Sequence, residues 1–306
     1  MNGGAGRPSQ RLGDKTMTIK VATAPDSWGV WYPKDEKQVG WERYLDEVQK
    51  AGYGWTELGP WGYLPTDPET LLSELGRRDI KLCGTGVVHP LSLADSAETL
   101  AARVGPICAL LKAAGAEWFV LMDESESYAA PGDRLLDDKA WADMIAIVSA
   151  TAKRVVEEYG IKFVFHPHVG TCIETEAEIE RLLADTKPEH VGLCFDLGHH
   201  IYTGADPLAF MERHADRIPY YHFKNMDGAL RKRITDENIP FMDAFQMGVM
   251  CELDKGVIDF AGVVKFLDAR NYDGFAVVEQ DMYPCRPEKP YPIAKHNRDY
   301  LRTLGL

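Results

Sequence analysis

The stretch "IKFVFHPHVGTCIETEAEIERLLADTKPEHVGLCFD" (residues 161–196) holds one complete structural unit. It opens on an apolar, β-rich run, "IKFVFHPH". After a glycine-containing turn it acquires helical period in "EAEIERLLAD", and it closes on a second apolar run, "HVGLCFD". Strand, helix and strand follow one another with short connections. If the first run stays extended to its end, His166 and His168 occupy alternate positions and look into one common space.

The same alternation continues in both directions. From Met17 onward the β-rich runs are "TIKVATAP", "GWTELGP", "IKLCGTGVV", "EWFVLMD", "IKFVFHPH", "HVGLCFD", "IPYYHFK" and "GFAVVEQ". Amphipathic segments such as "WERYLDEVQKAG" and "KAWADMIAIVSATAKRVVEEYG" separate them, several ending in a glycine that suits a helix C-cap. Eight βα units in one chain predict a single-domain (β/α)8 TIM barrel spanning residues 17–306. A doubly wound sheet is the alternative. It is disfavoured because "GTG" at residues 84–86 is no GxGxxG and no acidic residue follows at dinucleotide spacing. The polar, irregular region from Met226 to Lys255 reads as a long loop over the barrel mouth.

Composition narrows the function. A net charge of −13 lacks the clustered Lys and Arg that phosphate backbones require, so nucleic acid is not expected as a partner. No apolar run approaches the roughly 18 residues of a membrane span, so no membrane is expected either. Six cysteines without a CxxC pair read as reduced thiols of a cytoplasmic protein. Residues 1–16 are polar, lack an apolar signal-peptide core and read as a disordered or expression-derived leader.

In a barrel, chemistry collects at the C-terminal ends of the strands. Glu57 ends the second run, His89 follows the third, Asp123 and Glu124 the fourth, and His166 and His168 the fifth. Asp196 ends the sixth, His222 and Lys224 the seventh, and Glu279 the eighth. Carboxylates inside runs such as "GLCFDLG" and "AVVEQD" are costly to bury unless paired or bound to a cation. Several converging on one rim point to a divalent metal that leaves positions open for substrate oxygens, with Mn or Co first and Mg, Fe or Zn as alternatives. Singly, each has a plainer reading: a rim histidine can be a hydrogen-bonded core residue, and Asp196 can cap a following helix. His199 and His200 read as loop histidines just past the sixth strand, with His199 kept as a substrate contact. Trp28, Trp31 and Trp61, near early strand ends, are candidates to stack on a substrate ring.

The motifs "HPHVGTCIET", "CFDLGHHIYTGADP", "YYHFKN", "GVIDF" and "GFAVVEQD" resemble the xylose-isomerase-like TIM barrels of sugar phosphate isomerases and epimerases. Within that superfamily the chain looks most like the inosose dehydratases of inositol catabolism. "APDSWGVW" (residues 24–31) and "ELGPWGYLPTDP" (residues 57–68) extend the likeness over nearly the whole chain. The resemblance implies one divalent metal held by Asp196, His222 and Glu279. Many relatives carry a glutamate at the end of the fifth strand, where this chain has "FHPH". Glu174 is then the implied fourth ligand and His168 its competitor.

The resemblance also implies proton removal beside a ketone, with His168, Glu57 and Lys224 as proton handlers and His166 near substrate hydroxyls. The implied substrate is a small cyclic keto-polyol, 2-keto-myo-inositol, dehydrated by loss of the β-hydroxyl. A keto-sugar isomerase or epimerase, or an elimination on a 3-keto glycoside, shares the same first step and remains the alternative. A catalytically silent barrel and an endonuclease are disfavoured, the first because Asp196, His222 and Glu279 are all present. The absence of an Arg cluster at the rim favours an unphosphorylated substrate. Barrels of this kind often pair, which leaves a homo-oligomer open.

Overall fold

The computed structural model describes residues 19–124 and 135–306; the leader at residues 1–16 lies outside the described residues. Strands follow the chain as β1 (Lys20–Thr23), β2 (Trp55–Glu57), β3 (Lys81–His89), β4 (Trp118–Asp123), β5 (Lys162–Phe165), β6 (Gly192–Asp196), β7 (Tyr220–Phe223), β8 (Asn225–Met226), β9 (Met250–Cys251) and β10 (Phe275–Val278). Eight of these close a parallel barrel in the order β1-β10-β7-β6-β5-β4-β3-β2, while β8 and β9 form a separate antiparallel pair. The helices α1 (Trp41–Ala51), α2 (Pro68–Gly76), α3 (Ser96–Ala114), α4 (Asp138–Tyr159) and α5 (Glu176–Asp185) fall where the helical period predicts them. They are followed by α6 (Leu197–Tyr202), α7 (Pro207–His214), α8 (Gly228–Glu237), α9 (Phe241–Gln246), α10 (Phe260–Ala269) and α11 (Pro290–Thr303).

Local chemistry sets these limits. Asp67 caps α2 by accepting from Thr70 N, and Thr175 with Glu178 forms a capping box at the start of α5. Gly52, Gly115 and Gly160 end α1, α3 and α4 in the left-handed conformation. The barrel interior is filled by Ala22, Cys83, Trp118, Val120, Val164, Cys194, Tyr220, Phe275 and Val277, a mixture of large and small buried side chains. A larger apolar shell, including Leu45, Val48, Leu71, Leu111, Val148 and Leu182, joins strands to helices. Each such fully buried side chain contributes roughly 1.5–3 kcal/mol. Among the described residues no helix is long and apolar enough to cross a membrane.

Three local expectations are corrected. Strand β5 ends at Phe165, so His166 and His168 are brought together by the turn that follows rather than by strand alternation. In that turn His168 N donates to Ile173 O, Thr171 Oγ1 donates to His168 O, and Gly170 takes φ 76°. His199 and His200 are helical, because Asp196 accepts from His199 N and starts α6 directly at the end of β6. The region after Met226 is not an irregular loop. It is the helical excursion α8–α9, closed by the β8–β9 pair, and it delivers Phe241 to the barrel mouth.

Candidate active site

A cavity of about 450 Å3 opens at the C-terminal end of the barrel. Its floor and one wall are ionisable. Asp26 comes from the turn after β1, Glu57 from the end of β2, His166 and His168 from the turn after β5, and His199 from α6. His222 and Lys224 come from β7 and just beyond it, and Glu279 and Asp281 from the end of β10. Trp31, Trp61, Val88, Met122 and Phe241 supply an apolar wall.

Lys224 occupies the centre of the charge cluster. Its Nζ lies 2.9 Å from Asp196 Oδ2, 3.1 Å from Glu279 Oε2, 3.1 Å from Asp281 Oδ1 and 2.9 Å from His199 Nε2. Burial opposes its charge, but the carboxylates of Asp196, Asp281 and Glu279 outweigh burial and hold its pKa well above the ordinary lysine value. Gly198 makes the approach possible: a Cβ there would sit 2.7 Å from Lys224 Cγ. Glu279 is held well below the usual carboxylate range, since His222 and Lys224 overcome its burial. Asp26 moves the other way. Burial first, then the charges of Glu279 and Asp281, push its pKa well up, and it shares a hydrogen bond with Asp281.

His222 is gripped from both sides. Its Nε2 lies 3.2 Å from Glu57 Oε1, which also accepts from Tyr220 Oη at 2.8 Å. Its Nδ1 lies 3.0 Å from Glu279 Oε2 and 3.9 Å from Asp196 Oδ2, yet makes no aligned hydrogen bond. Asp196 Oδ2 likewise has no aligned donor, despite its ionic contact with Lys224. His222 Nδ1, a buried atom without an aligned partner, thus lies near one oxygen of each of two carboxylates. The 3.0 and 3.9 Å from His222 Nδ1 to the two carboxylate oxygens are separations that an ion bonded at about 2.1 Å to each donor can bridge, since two such bonds span at most about 4.2 Å. An oxygen-rich set with one imidazole fits a divalent metal of the Mn, Co, Fe, Mg or Zn group.

The other three imidazoles that line the cavity are uncharged at neutral pH. His168 is lowered to about 4, by burial first and then by Lys224. Its Nδ1 lies 2.8 Å from Val169 O, so that nitrogen carries the proton and Nε2 presents the lone pair. Burial also pushes His166 and His199 well below the ordinary value. The His168 and His199 rings stand 3.7 Å apart between centroids.

Not every expected residue reaches the cavity. Trp28 is buried away from it, its indole N–H donating to Glu47 Oε2 and its ring edge-on to Tyr44. Trp31 and Trp61 do line it, with Trp31 stacked on Tyr283 at 5.1 Å. Glu174 is half-buried at the capping box of α5, its N–H donating to Glu178, and is not among the cavity-lining residues. His89 is engaged by Ser96 O and Arg103, and Asp123 accepts from the N–H groups of Leu91 and Cys172, so both brace the rim. Asp26 and Asp281 escape the reading of strand ends. Asp281 was detectable, lying two residues past Glu279 on an extended path, and Asp26 follows the one barrel strand to which no rim group was assigned.

An inosose dehydratase of Lacticaseibacillus casei is 31% identical over 293 residues, covering 93% of this chain and 97% of its own. The rhizopine catabolism protein MocC of Rhizobium meliloti is also 31% identical, over 94% of this chain and 89% of its own. Among solved structures, the probable 3-DHS dehydratase AsbF of Bacillus anthracis superposes with a TM-score of 0.69 at 15% identity, over 93% of this chain and 99% of that one. IOLI protein with a bound zinc atom gives 0.67 at 15% identity, over 94% and 96%. The profile of the xylose isomerase-like TIM barrel matches residues 45–304. With that span and a closed parallel barrel bearing its ionisable groups at the strand ends, the chain belongs to the xylose isomerase-like TIM barrel family.

Proposed function

We propose that this protein is a hydro-lyase that dehydrates a cyclic keto-polyol, with 2-keto-myo-inositol as the working substrate. The observation that carries the reading is the adjacency, in one cavity, of His222 and Glu279, with Asp196 behind them 3.9 Å from His222 Nδ1, and uncharged imidazoles headed by His168. The names of the inosose dehydratases at 31% identity support the reaction class.

Asp196, His222 and Glu279 would hold the divalent ion, with Glu174 as the further ligand, which leaves His168 for the proton. A bound ion supplies Lewis-acid stabilisation of the negative charge that develops on the ketone oxygen. His168 Nε2 is an available base at neutral pH and takes the proton α to the ketone. The C–H electron pair forms the enol double bond, the β C–O bond breaks, and the departing hydroxyl takes a proton and leaves as water. Lys224, an ammonium held against three carboxylates, faces the same space and is the donor for that step. His166 and His199 contact the ring hydroxyls, while Trp31 and Trp61 pack against the C–H face of the ring. All six cysteines are free thiols, which supports a reducing, cytoplasmic setting.

Metal-stripped protein reconstituted with Mn or Co and given 2-keto-myo-inositol should build the ultraviolet absorbance of the dehydrated dione. Stoichiometric metal binding without dione formation would refute the substrate and outcome proposed here.

A further inference from the structure

Glu57, a proton handler by the resemblance, is bonded to two other side chains, Tyr220 and His222. It ends β2 and reaches across the barrel to β7. The pairing of β2 with β3 shifts register between Thr56 and Glu57, the kind of irregularity that re-aims a side chain at a barrel rim. Glu57 Oε1 receives two bonds, 2.8 Å from Tyr220 Oη and 3.2 Å from His222 Nε2. A carboxylate oxygen only accepts, so the Tyr220 hydroxyl donates and His222 Nε2 must carry a hydrogen. That leaves Nδ1 as the coordinating nitrogen, and Nδ1 is the atom found 3.0 Å from Glu279 Oε2 and 3.9 Å from Asp196 Oδ2 without an aligned partner.

We propose that Glu57, itself fixed by Tyr220, is a positioning residue: it locks the ring of His222 with Nε2–H inward and Nδ1 presented to the metal. The inference rests on the metal-site reading above. A carboxylate behind a ligating imidazole fixes ring orientation and raises the basicity of the far nitrogen, and its loss costs about 10–100-fold in metal affinity.

The test compares wild type, Glu57→Gln, Glu57→Leu and Tyr220→Phe as metal-free full chains, titrated with Mn(II) and Co(II) by calorimetry before any substrate is added. The d–d absorbance of the Co(II) form serves as a second readout, and circular dichroism establishes that each variant is folded. Glu57→Leu should weaken metal binding by about 10–100-fold and alter the Co(II) spectrum. Glu57→Gln, which keeps the accepting oxygen but not the charge, should fall between it and wild type, and Tyr220→Phe should shift the constant in the same direction by less. If Glu57→Leu does not fold, the ordering of Glu57→Gln and Tyr220→Phe against wild type decides. Dissociation constants and Co(II) spectra equal to wild type in folded variants would overturn the proposal. A wild-type chain that binds neither ion would instead overturn the metal-site reading itself.

Discussion

Replacing Lys224 by methionine removes the cation that lies within 3.1 Å of three carboxylates: Asp196, Glu279 and Asp281. Breaking a buried ion pair by deleting one partner costs about 3–5 kcal/mol. An independent ceiling comes from protonation, because the cluster can neutralise itself by taking up a proton. At pH 7, holding a proton on a carboxyl of ordinary acidity costs about 1.4 kcal/mol for each pH unit above its pKa, or about 3–4 kcal/mol. The metal-free variant should therefore lose about 3–4 kcal/mol at pH 7, about 5–6 °C in Tm for a chain of 306 residues. The pH sign follows from the same argument. The variant's folded state binds a proton that its unfolded state does not, so the deficit shrinks as pH falls and is about 1 kcal/mol near pH 5. Saturating Mn should restore much of the loss, since a divalent ion answers the same carboxylates. Melts of metal-free protein from pH 5 to 8 measure this, and a deficit under 1 kcal/mol at pH 7, or one independent of pH, would refute the reasoning.

Three further outcomes are expected. His168, at about 4 in the folded protein against an ordinary value of about 6.5, is protonated more readily when unfolded. Its contribution is present above pH 6.5 and is lost as pH falls toward 4, up to about 3 kcal/mol, so His168→Asn should flatten the stability profile across that window. Asp196→Ala removes a proposed metal contact, the cap accepting from His199 N and one of three carboxylates on Lys224, so calorimetry should show lost metal binding and melts a loss above the about 1 kcal/mol of the cap alone. Gly198→Ala places a Cβ 2.7 Å from Lys224 Cγ, which should cost about 1–3 kcal/mol and lower turnover by moving the ammonium.

The barrel and much of its rim were legible because both follow from periodicity. Apolar runs alternate with helical segments, and a charged residue at the end of a run that should be buried stands out, as Asp196, His222 and Glu279 do. What escaped depends on turns. The 3-10 turn Pro25–Trp28 after β1 sends Asp26 into the cavity and Trp28 into the helix layer, a division that the spacing of "APDSWGVW" does not carry. The immediate start of α6 after Asp196 separates two adjacent histidines, His199 to Lys224 and His200 to Glu176. Glu174 is followed by Thr175 and Glu178, whose capping box sets the local path of the chain, a consequence of helix-start chemistry that strand periodicity does not carry. The register shift between Thr56 and Glu57, which periodicity does not carry, accompanies a bond from Glu57 to a histidine three strands away in the barrel.

The most direct test of the central claim follows 2-keto-myo-inositol by 1H NMR in D2O with Mn-loaded protein. Dehydration predicts loss of the ring proton α to the ketone together with the β-carbinol signal, and accumulation of a dione enol lacking the elements of water. Exchange or inversion of the α-proton with every hydroxyl retained would contradict it and make the protein an isomerase or epimerase.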